Sequence, residues 1–547
     1  MYVLENPVLQ RELLVNLRTQ RSFLLLLWYQ VALAAVVLFA WPEERRLDLT
    51  ENPQSARKLV DLFFLGQFVI ASLIAPSFAA GAITGEKERG TYEMLLASPL
   101  RPSAIVLGKL IAALTHLGVL IVASLPIIVV CLPLGGISVY EVVAAYLALI
   151  VAVLLFGSIG VASSSYFRRT TASLAVSYLV IMFLVLAGVL SWSALSNQTE
   201  LRLQLTVFVV PAYGVAASVV LCGNAAGRLL YPPDVGNEGK EVVDLEAESQ
   251  TAIGLVIQRD QWPDRMFAPP KKTQLMDDGI NPIYDKEIHS EIFSQGTLML
   301  RLVIQLSMFM AIPLMAWFLF AQPHLCTWYM VFVLVFNLLI GPVFLSGSMT
   351  SERERQTLDL LLTTMITPNQ ILWGKLIVGL RISLVLTSFL LLPLLLAGAL
   401  VGDFWSNWFS LLMMLIITVT ACITNSVVAM FCSVFHRKSS ISLINTYLIL
   451  LTLYAVPIAI GLLLSIIDFD QATLQTVRNW SSSSPFTALF ALPLDEQLSS
   501  DQQTPVRIGN HRLVFQYFVF TLLLNVTLMW TMTWRLGSWG VLPATTA

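Results

Sequence analysis

Residues 85–110, GEKERGTYEMLLASPLRPSAIVLGKL, align without a gap to residues 351–376, SERERQTLDLLLTTMITPNQILWGKL. Glu86, Glu88, Arg89 and Thr91 recur as Glu352, Glu354, Arg355 and Thr357. Leu95, Leu96, Pro102, Ile105, Gly108, Lys109 and Leu110 recur as Leu361, Leu362, Pro368, Ile371, Gly374, Lys375 and Leu376. Carboxylates, a guanidinium and a hydroxyl packed this closely suit docking through charge-assisted hydrogen bonds. Bond-making chemistry has no visible seat. The sequence holds no GxxxxGK[S/T] loop, no zinc-like His/Cys cluster and no G-x-S-x-G elbow.

A simpler reading of the same charges exists. Ser351 with Glu354 fits a capping box, and Glu86 with Arg89, like Glu352 with Arg355, fits an i,i+3 pair, so the charges would only start helices. Repetition of both glutamates, the arginine and the threonine favours docking, because a cap alone does not demand the whole set.

The elements around these residues follow from periodicity. Tyr92, Leu95 and Leu96, like Leu358, Leu361 and Leu362, form an apolar stripe at helical spacing, which predicts an amphipathic helix lying on a membrane surface. Pro102 and Pro368 suit the first position of a following helix. Two such hinges between apolar runs make a coupling element shared by two membrane halves.

Composition agrees. Hydrophobic residues make up 56% of the 547 and charged residues 12%, against about 25% charged in soluble domains, and the mean hydropathy is +0.76. A net charge of −2 gives no footing for nucleic acid. Cys131, Cys222, Cys326, Cys422 and Cys432 sit in or beside apolar runs without metal-ligand spacing and read as small core residues. The polar start before the first apolar run, with no small-residue cleavage site after it, is not a secretory signal.

Apolar runs fall at 22–41, 59–83, 108–133, 140–165, 172–193 and 205–223, then at 299–321, 327–350, 374–400, 405–434, 441–467 and 514–534. They divide six and six. The expected fold is an all-α integral membrane protein of two six-helix halves, residues 1–230 and 281–547, joined by a cytoplasmic linker at 231–280, with an external loop at 468–513. Two further matches support the duplication. Asn6-Pro7-Val8 with Arg11-Glu12 pairs with Asn281-Pro282-Ile283 with Lys286-Glu287, in segments that read as interfacial helices or membrane anchors. Tyr166, Arg168, Arg169, Ser173, Leu174 and Tyr178 pair with Phe435, Arg437, Lys438, Ser442, Leu443 and Tyr447.

Like segments belong on like sides, so an even number of crossings separates them and the repeat is parallel. Arg168, Arg169, Arg437 and Lys438, with the hinge cations, place both hinges in the cytoplasm by the positive-inside rule. Arg45, Arg46, Arg57 and Lys58 count against this, diluted by Glu43, Glu44, Asp48 and Glu51. Segment 205–223 meets two conflicting demands. Pro211-Ala212-Tyr213 resembles Pro485-Phe486-Thr487, which makes it a non-crossing external helix, whereas parity makes it a span. Parity prevails, because unsatisfied backbone in hydrocarbon costs several kcal/mol per group.

Among the few ionisable residues inside spans, His116 and Arg381 are candidates for a pathway or, as the plainer reading, a packed histidine and a snorkelling arginine. Asn337 and Asn425 are placed to hydrogen-bond between helices, with no amide at the matching positions of the first half.

With these residues in view, the chain resembles the permeases of the type-2 ABC exporter family, with two permease units fused in tandem. The family's E-x-E, G-T/Q-T, Leu-Leu and P-x-x-x-x-x-x-G-K pattern is met at Glu86, Glu88, Thr91, Leu95, Leu96, Pro102, Gly108 and Lys109, and again at Glu352, Glu354, Thr357, Leu361, Leu362, Pro368, Gly374 and Lys375. The resemblance implies six spans per half, a first coupling helix at E-x-E, a second at the basic turn, and short external helices between spans five and six. It also implies two copies of a separate ABC ATPase, which carry the ATP and Mg; this chain, in a bacterial-type inner membrane, binds no cofactor of its own. Glu86, Glu88, Arg89, Glu352, Glu354 and Arg355 are the expected contacts. A secondary transporter and a module passing ATP-driven motion to an external partner are the other classes the sequence admits. The substrate is not written in it.

Overall fold

The computed structural model describes residues 9–10, 30, 53–131, 138–167, 169–194, 201, 204–230, 281–289, 297–405, 407–466, 481–492 and 511–540. Arg168, nearly all of 6–21 and of the run at 22–41, the linker 231–280 and most of 468–513 lie outside the described residues. Contacts divide the chain into two compact units, Met1–Pro233 with Ala459–Gln475, and Asp234–Ile458 with Thr476–Ala547. Among the described residues there is no strand.

The first unit contains α1 (Pro53–Ala79), α2 (Gly81–Glu88), α3 (Tyr92–Leu96), α4 (Pro102–Cys131), α5 (Val139–Tyr166) and α6 (Thr170–Ala194). A π-helical turn, Leu205–Val209, then runs into α7 (Val210–Leu230). The second contains α8 (Pro282–His289), α9 (Thr297–Met315) with a π-helical end at Ala316–Ala321, α10 (Cys326–Ser346), α11 (Thr350–Glu354), α12 (Leu358–Leu362) and α13 (Pro368–Leu400). It continues with α14 (Trp408–Phe435), α15 (Ser439–Ile466, in this unit as far as Ile458), α16 (Pro485–Phe490) and α17 (His511–Gly540).

Eleven helices among the described residues are long and apolar enough to cross a membrane, and they coincide with eleven of the twelve apolar runs. Long runs of Leu, Val, Ile and Ala become helices here because a helix satisfies its own backbone where no water can. Their ends are marked by local chemistry. Ser138 and Glu141 form a capping box at the start of α5, and Thr367 with Gln370 forms one at α13, where Pro368 takes the first helical position.

In the first unit α1, α4 and α5 share a core built around Phe63, Leu117, Ile121 and Phe156. In the second, α10 packs against α13 and α14. Helix α16 is short and buried at Ala488 and Leu489, and its ends touch α10 through Trp328 and Phe490 and α15 through Tyr454 and Phe486.

Segment 205–223 is part of one continuous helical stretch ending at Leu230, and its packing matches α17 and not α16. Ala225 and Leu229 lie in the core beneath Tyr92, as Met532 and Leu536 lie beneath Leu358. Arg228 sits over the Tyr166 ring at 4.2 Å and Arg535 over the matching Phe435 at 6.0 Å. The local likeness of Pro211 to Pro485 is therefore misleading. Two proline-bearing apolar hexamers look alike without occupying the same place.

Candidate functional site: the paired hinges

Each hinge is two short helices joined by a tight reversal. Helix α2 ends in a Schellman turn: the Thr91 N–H donates to the Glu86 carbonyl at 3.0 Å and the Gly90 N–H to Lys87 at 3.3 Å. Helix α11 ends the same way, with Thr357 to Glu352 at 2.8 Å and Gln356 to Arg353 at 3.1 Å. This turn requires positive φ at one residue. Gly90 adopts 70°, and Gln356 adopts 58° with a full side chain.

Three consecutive side chains on each turn then grip three different helices. Glu86 accepts a hydrogen bond from the Thr91 hydroxyl and pairs with Lys109 of α4 at 3.2 Å. Glu352 accepts from the Thr357 hydroxyl and pairs with Lys375 of α13 at 3.3 Å and Lys286 of α8 at 3.2 Å. Both lysines are buried, at 5% and 4% exposure, and Lys375 gains Glu287 at 2.5 Å and the Ser348 carbonyl at 3.1 Å. A lysine buried at this depth is tolerated only when paired.

One residue on, Lys87 donates to the carbonyls of Ser164, Ser165 and Phe167 at 2.8 to 3.1 Å, the C-terminal end of α5. Arg353 does the same to Val434 and His436 at the end of α14. One further on, Glu88 accepts from the Thr170 N–H at 2.8 Å and its hydroxyl at 3.1 Å, capping α6. Glu354 accepts from the Ser439 N–H and hydroxyl, both at 3.1 Å, capping α15. The signs follow from helix ends. A cation satisfies the free carbonyls where one helix stops, and an anion satisfies the free amides where the next begins.

A hydroxyl from the gripped helix closes the joint. Ser164 accepts from the Ile83 and Thr84 N–H groups at 3.0 and 2.8 Å, and Ser433 from Met349 and Thr350 at 2.8 and 3.2 Å. Each hinge is thus fastened to the basic turn that follows the fourth run of its half. Arg169 is half-buried there, and Arg437 and Lys438 are exposed. The capping box expected from Ser351 and Glu354 does not form, because the Glu354 carboxylate is directed at Ser439.

The apolar stripes face protein. Tyr92 and Leu358 are buried in their units' cores, with Leu96, Leu361 and Leu362 packed against them. What remains outward is a short ridge, Arg89, Glu93 and Met94 on one hinge and Arg355, Asp359 and Leu360 on the other. Met94 is 76% and Leu360 70% exposed, at matching positions. Sequence reasoning picked out Arg89 and Arg355 but passed over Glu93, Met94, Asp359 and Leu360 beside them and the grip of Lys87 and Arg353, since these do not repeat by identity. The signal was repetition of chemical type: acid, base, acid at 86–88 and 352–354, and an acid followed by an apolar residue at 93–94 and 359–360.

His116 and Arg381 lie in different units, on α4 and α13. His116 stacks on Phe78 of α1 at 5.5 Å, and Arg381 is half-buried. Among the described residues no group of His, Cys, Asp or Glu is arranged to hold a metal ion.

The family model described as ABC-2 family transporter protein matches residues 16–221 and 235–535. No curated protein matches the chain. Multi-pass apolar helices, two copies of the same braced hinge and a match over most of the length agree, and the chain belongs to the ABC-2 family of transporter membrane proteins.

Proposed function

We propose that this chain is the permease of an ATP-driven exporter, supplying both membrane halves from one polypeptide. The family makes it the membrane component of an ABC transporter, a class that works with ABC ATPase partners. In this reading both hinges face the cytoplasm of a bacterial-type inner membrane. Two copies of a separate ATPase dock beneath them, holding the ATP and Mg.

One observation supports this most: each hinge grips three helices with its inner side chains while presenting an exposed charged and apolar ridge. A push on the ridge reaches the whole half, because the Glu86–Lys109, Lys87–α5 and Glu88–α6 contacts leave no slack joint between them. Arg89, Glu93 and Met94, with Arg355, Asp359 and Leu360, are the contact residues. Glu86, Glu88, Glu352 and Glu354 are transmission residues behind them, with Thr91 and Thr357 holding the first carboxylate of each pair. The second coupling turn, Arg168, Arg169, Arg437 and Lys438, moves with the first because the glutamates bind it.

Co-purification with the cognate ATPase and transport by the reconstituted complex test both parts. Met94→Glu with Leu360→Glu should abolish ATPase association while the chain still inserts. Glu88→Gln with Glu354→Gln should keep association and ATP hydrolysis but lose the transport coupled to it. Full coupled transport in both double variants would overturn the assignment, and flux driven by an ion gradient without ATP would replace it with secondary transport.

A further inference from the structure

The hinges put α1 in register with α10 and α4 with α13, and the Ser164/Ser433 and Tyr178/Tyr447 matches put α5 in register with α14 and α6 with α15. Tyr178 bonds the Leu73 carbonyl and Tyr447 the Leu339 carbonyl, which confirms the register away from the hinges. Within that common frame, six positions in the interior of the spanning helices carry opposite chemistry.

In the second unit they form one hydrogen-bonded network. Asn337 on α10 donates to Thr387 at 2.8 Å and Ser383 at 3.2 Å, both on α13. Asn425 on α14 donates to the Asn337 carbonyl oxygen at 2.9 Å and accepts from the Tyr454 hydroxyl of α15 at 2.9 Å. Ser383 also lies 3.2 Å from the Cys422 sulfur. None of the six side chains is more than 2% exposed. Gly341 lets α10 come this close, since a Cβ there would sit 2.9 Å from the Ser383 oxygen.

The matching first-unit residues are Ala71, Leu117, Ile121, Val153, Phe156 and Val185, packed together in one apolar cluster. Among the described residues, the polar contacts between spanning helices there are scattered along the helices: Gln30 with the Ala123 carbonyl, Ser124 with Tyr146 at 2.9 Å, Ser77 with Tyr178 at 2.5 Å and Ser158 with Ser218 at 3.3 Å. Gln67, 3% exposed on α1, has no side-chain hydrogen-bond partner among the described residues.

Sliding α10, α13 or α14 past its neighbours breaks two or more directional bonds of the network together, and sliding α15 breaks the Tyr454–Asn425 bond, with no water to replace them. Sliding α1, α4, α5 or α6 breaks only scattered polar contacts and otherwise exchanges one apolar contact for another. We infer that the two halves divide the mechanical work: the second is a rigid arm locked by the Asn337–Asn425–Tyr454 network, and the first is the compliant arm that carries the conformational change of transport. This concerns the cores alone and stands or falls independently of where an ATPase docks.

Matched thiols test it. Cys131, Cys222, Cys326 and Cys432 are replaced by Ala in the full chain, leaving Cys422 in one version, or Val153→Cys with Cys422→Val in the other. Each is reacted with N-ethylmaleimide in lipid nanodiscs. The thiol of Val153→Cys should react about tenfold faster than Cys422, since labelling of a buried group follows its opening equilibrium. Tyr454→Phe should speed Cys422 about fivefold and leave the Val153→Cys probe unchanged. Equal rates, or a Cys422 indifferent to Tyr454→Phe, overturn the inference. Hydrogen exchange of the unmodified chain decides the matter if the cysteine-depleted chain does not fold: Cys326–Ser346 and Trp408–Phe435 should be the better protected, and protection equal to that of Pro53–Ala79 and Val139–Tyr166 overturns it.

Discussion

The hinges and the membrane cores of the two units have diverged to very different degrees. At the hinges each of the three grips recurs, with Lys87 and Arg353 sharing two matching carbonyls and Glu88 and Glu354 the matching amide. In the cores, six matched positions keep their place and lose their chemistry altogether. Helix ends explain the contrast. A helix terminus presents the same unsatisfied carbonyls or amides whatever its sequence, so the charge that answers it is fixed in sign and position. A core position answers only to volume and to its neighbours, so a whole network can appear in one copy without disturbing the backbone. Geometry is shared where backbone dictates it and free where side chains dictate it.

The largest effects should fall on the shared part. Lys375→Met takes the buried cation from half-buried Glu287 and Glu352, leaving Glu352 with Lys286 and the Thr357 hydroxyl, and should cost about 3 kcal/mol, the scale for removing one partner of a buried pair. Lys109→Met should cost a similar amount through Glu86. Thermal inactivation of the two variants in detergent measures both. A silent Lys109→Met would break the equivalence of the hinges.

Next come the cores, where the two halves should part company. Asn425→Leu leaves Asn337 and Tyr454 each short of a partner and should cost about 2 kcal/mol. Phe156→Leu, at the matching place, loses only packing and should cost about 1 kcal/mol. Chemical unfolding of each variant gives the two numbers. Equal costs would mean that the network adds nothing beyond the apolar contacts it replaced.

The two capping glutamates should behave alike. Glu88→Gln and Glu354→Gln each weaken one helix start, worth about 1 kcal/mol. A difference in melting temperature between the two single variants would show that one hinge is braced by something the other lacks.

Much of this was legible before any coordinates. Runs of apolar residues long enough to span gave the helices, and the gapless repeat gave the hinges and their registry. The partners of the charges were not legible. Glu88 and Thr170 are 82 residues apart, and nothing local in GEKERGT says that its second carboxylate caps a distant helix. Asn337 and Asn425 stood out as polar residues in apolar runs, but their meeting depends on how α10 and α14 pack, which period alone does not set. The likeness of Pro211 to Pro485 pulled against parity because short apolar strings with a proline are common in spanning helices, and parity was the better guide.

The smallest effect probes the one backbone feature in which the hinges differ. Both turns need a left-handed residue, and glycine meets that need at position 90 without a Cβ in the way, while Gln356 meets it at φ 58°. An L residue in that conformation costs about 1 kcal/mol over glycine, partly offset by the lower entropy of its unfolded chain. Gln356→Gly should therefore stabilise the second unit by roughly 0.5 kcal/mol, and Gly90→Gln should destabilise the first by a similar amount. The side chain of Gln356 is exposed, so the exchange removes no buried contact. A rise in melting temperature for the first variant and a fall for the second would show that the turns are the same structure built under different strain. A fall for Gln356→Gly would mean instead that the glutamine holds the turn through its side chain, and the two hinges would then be equivalent in outline only.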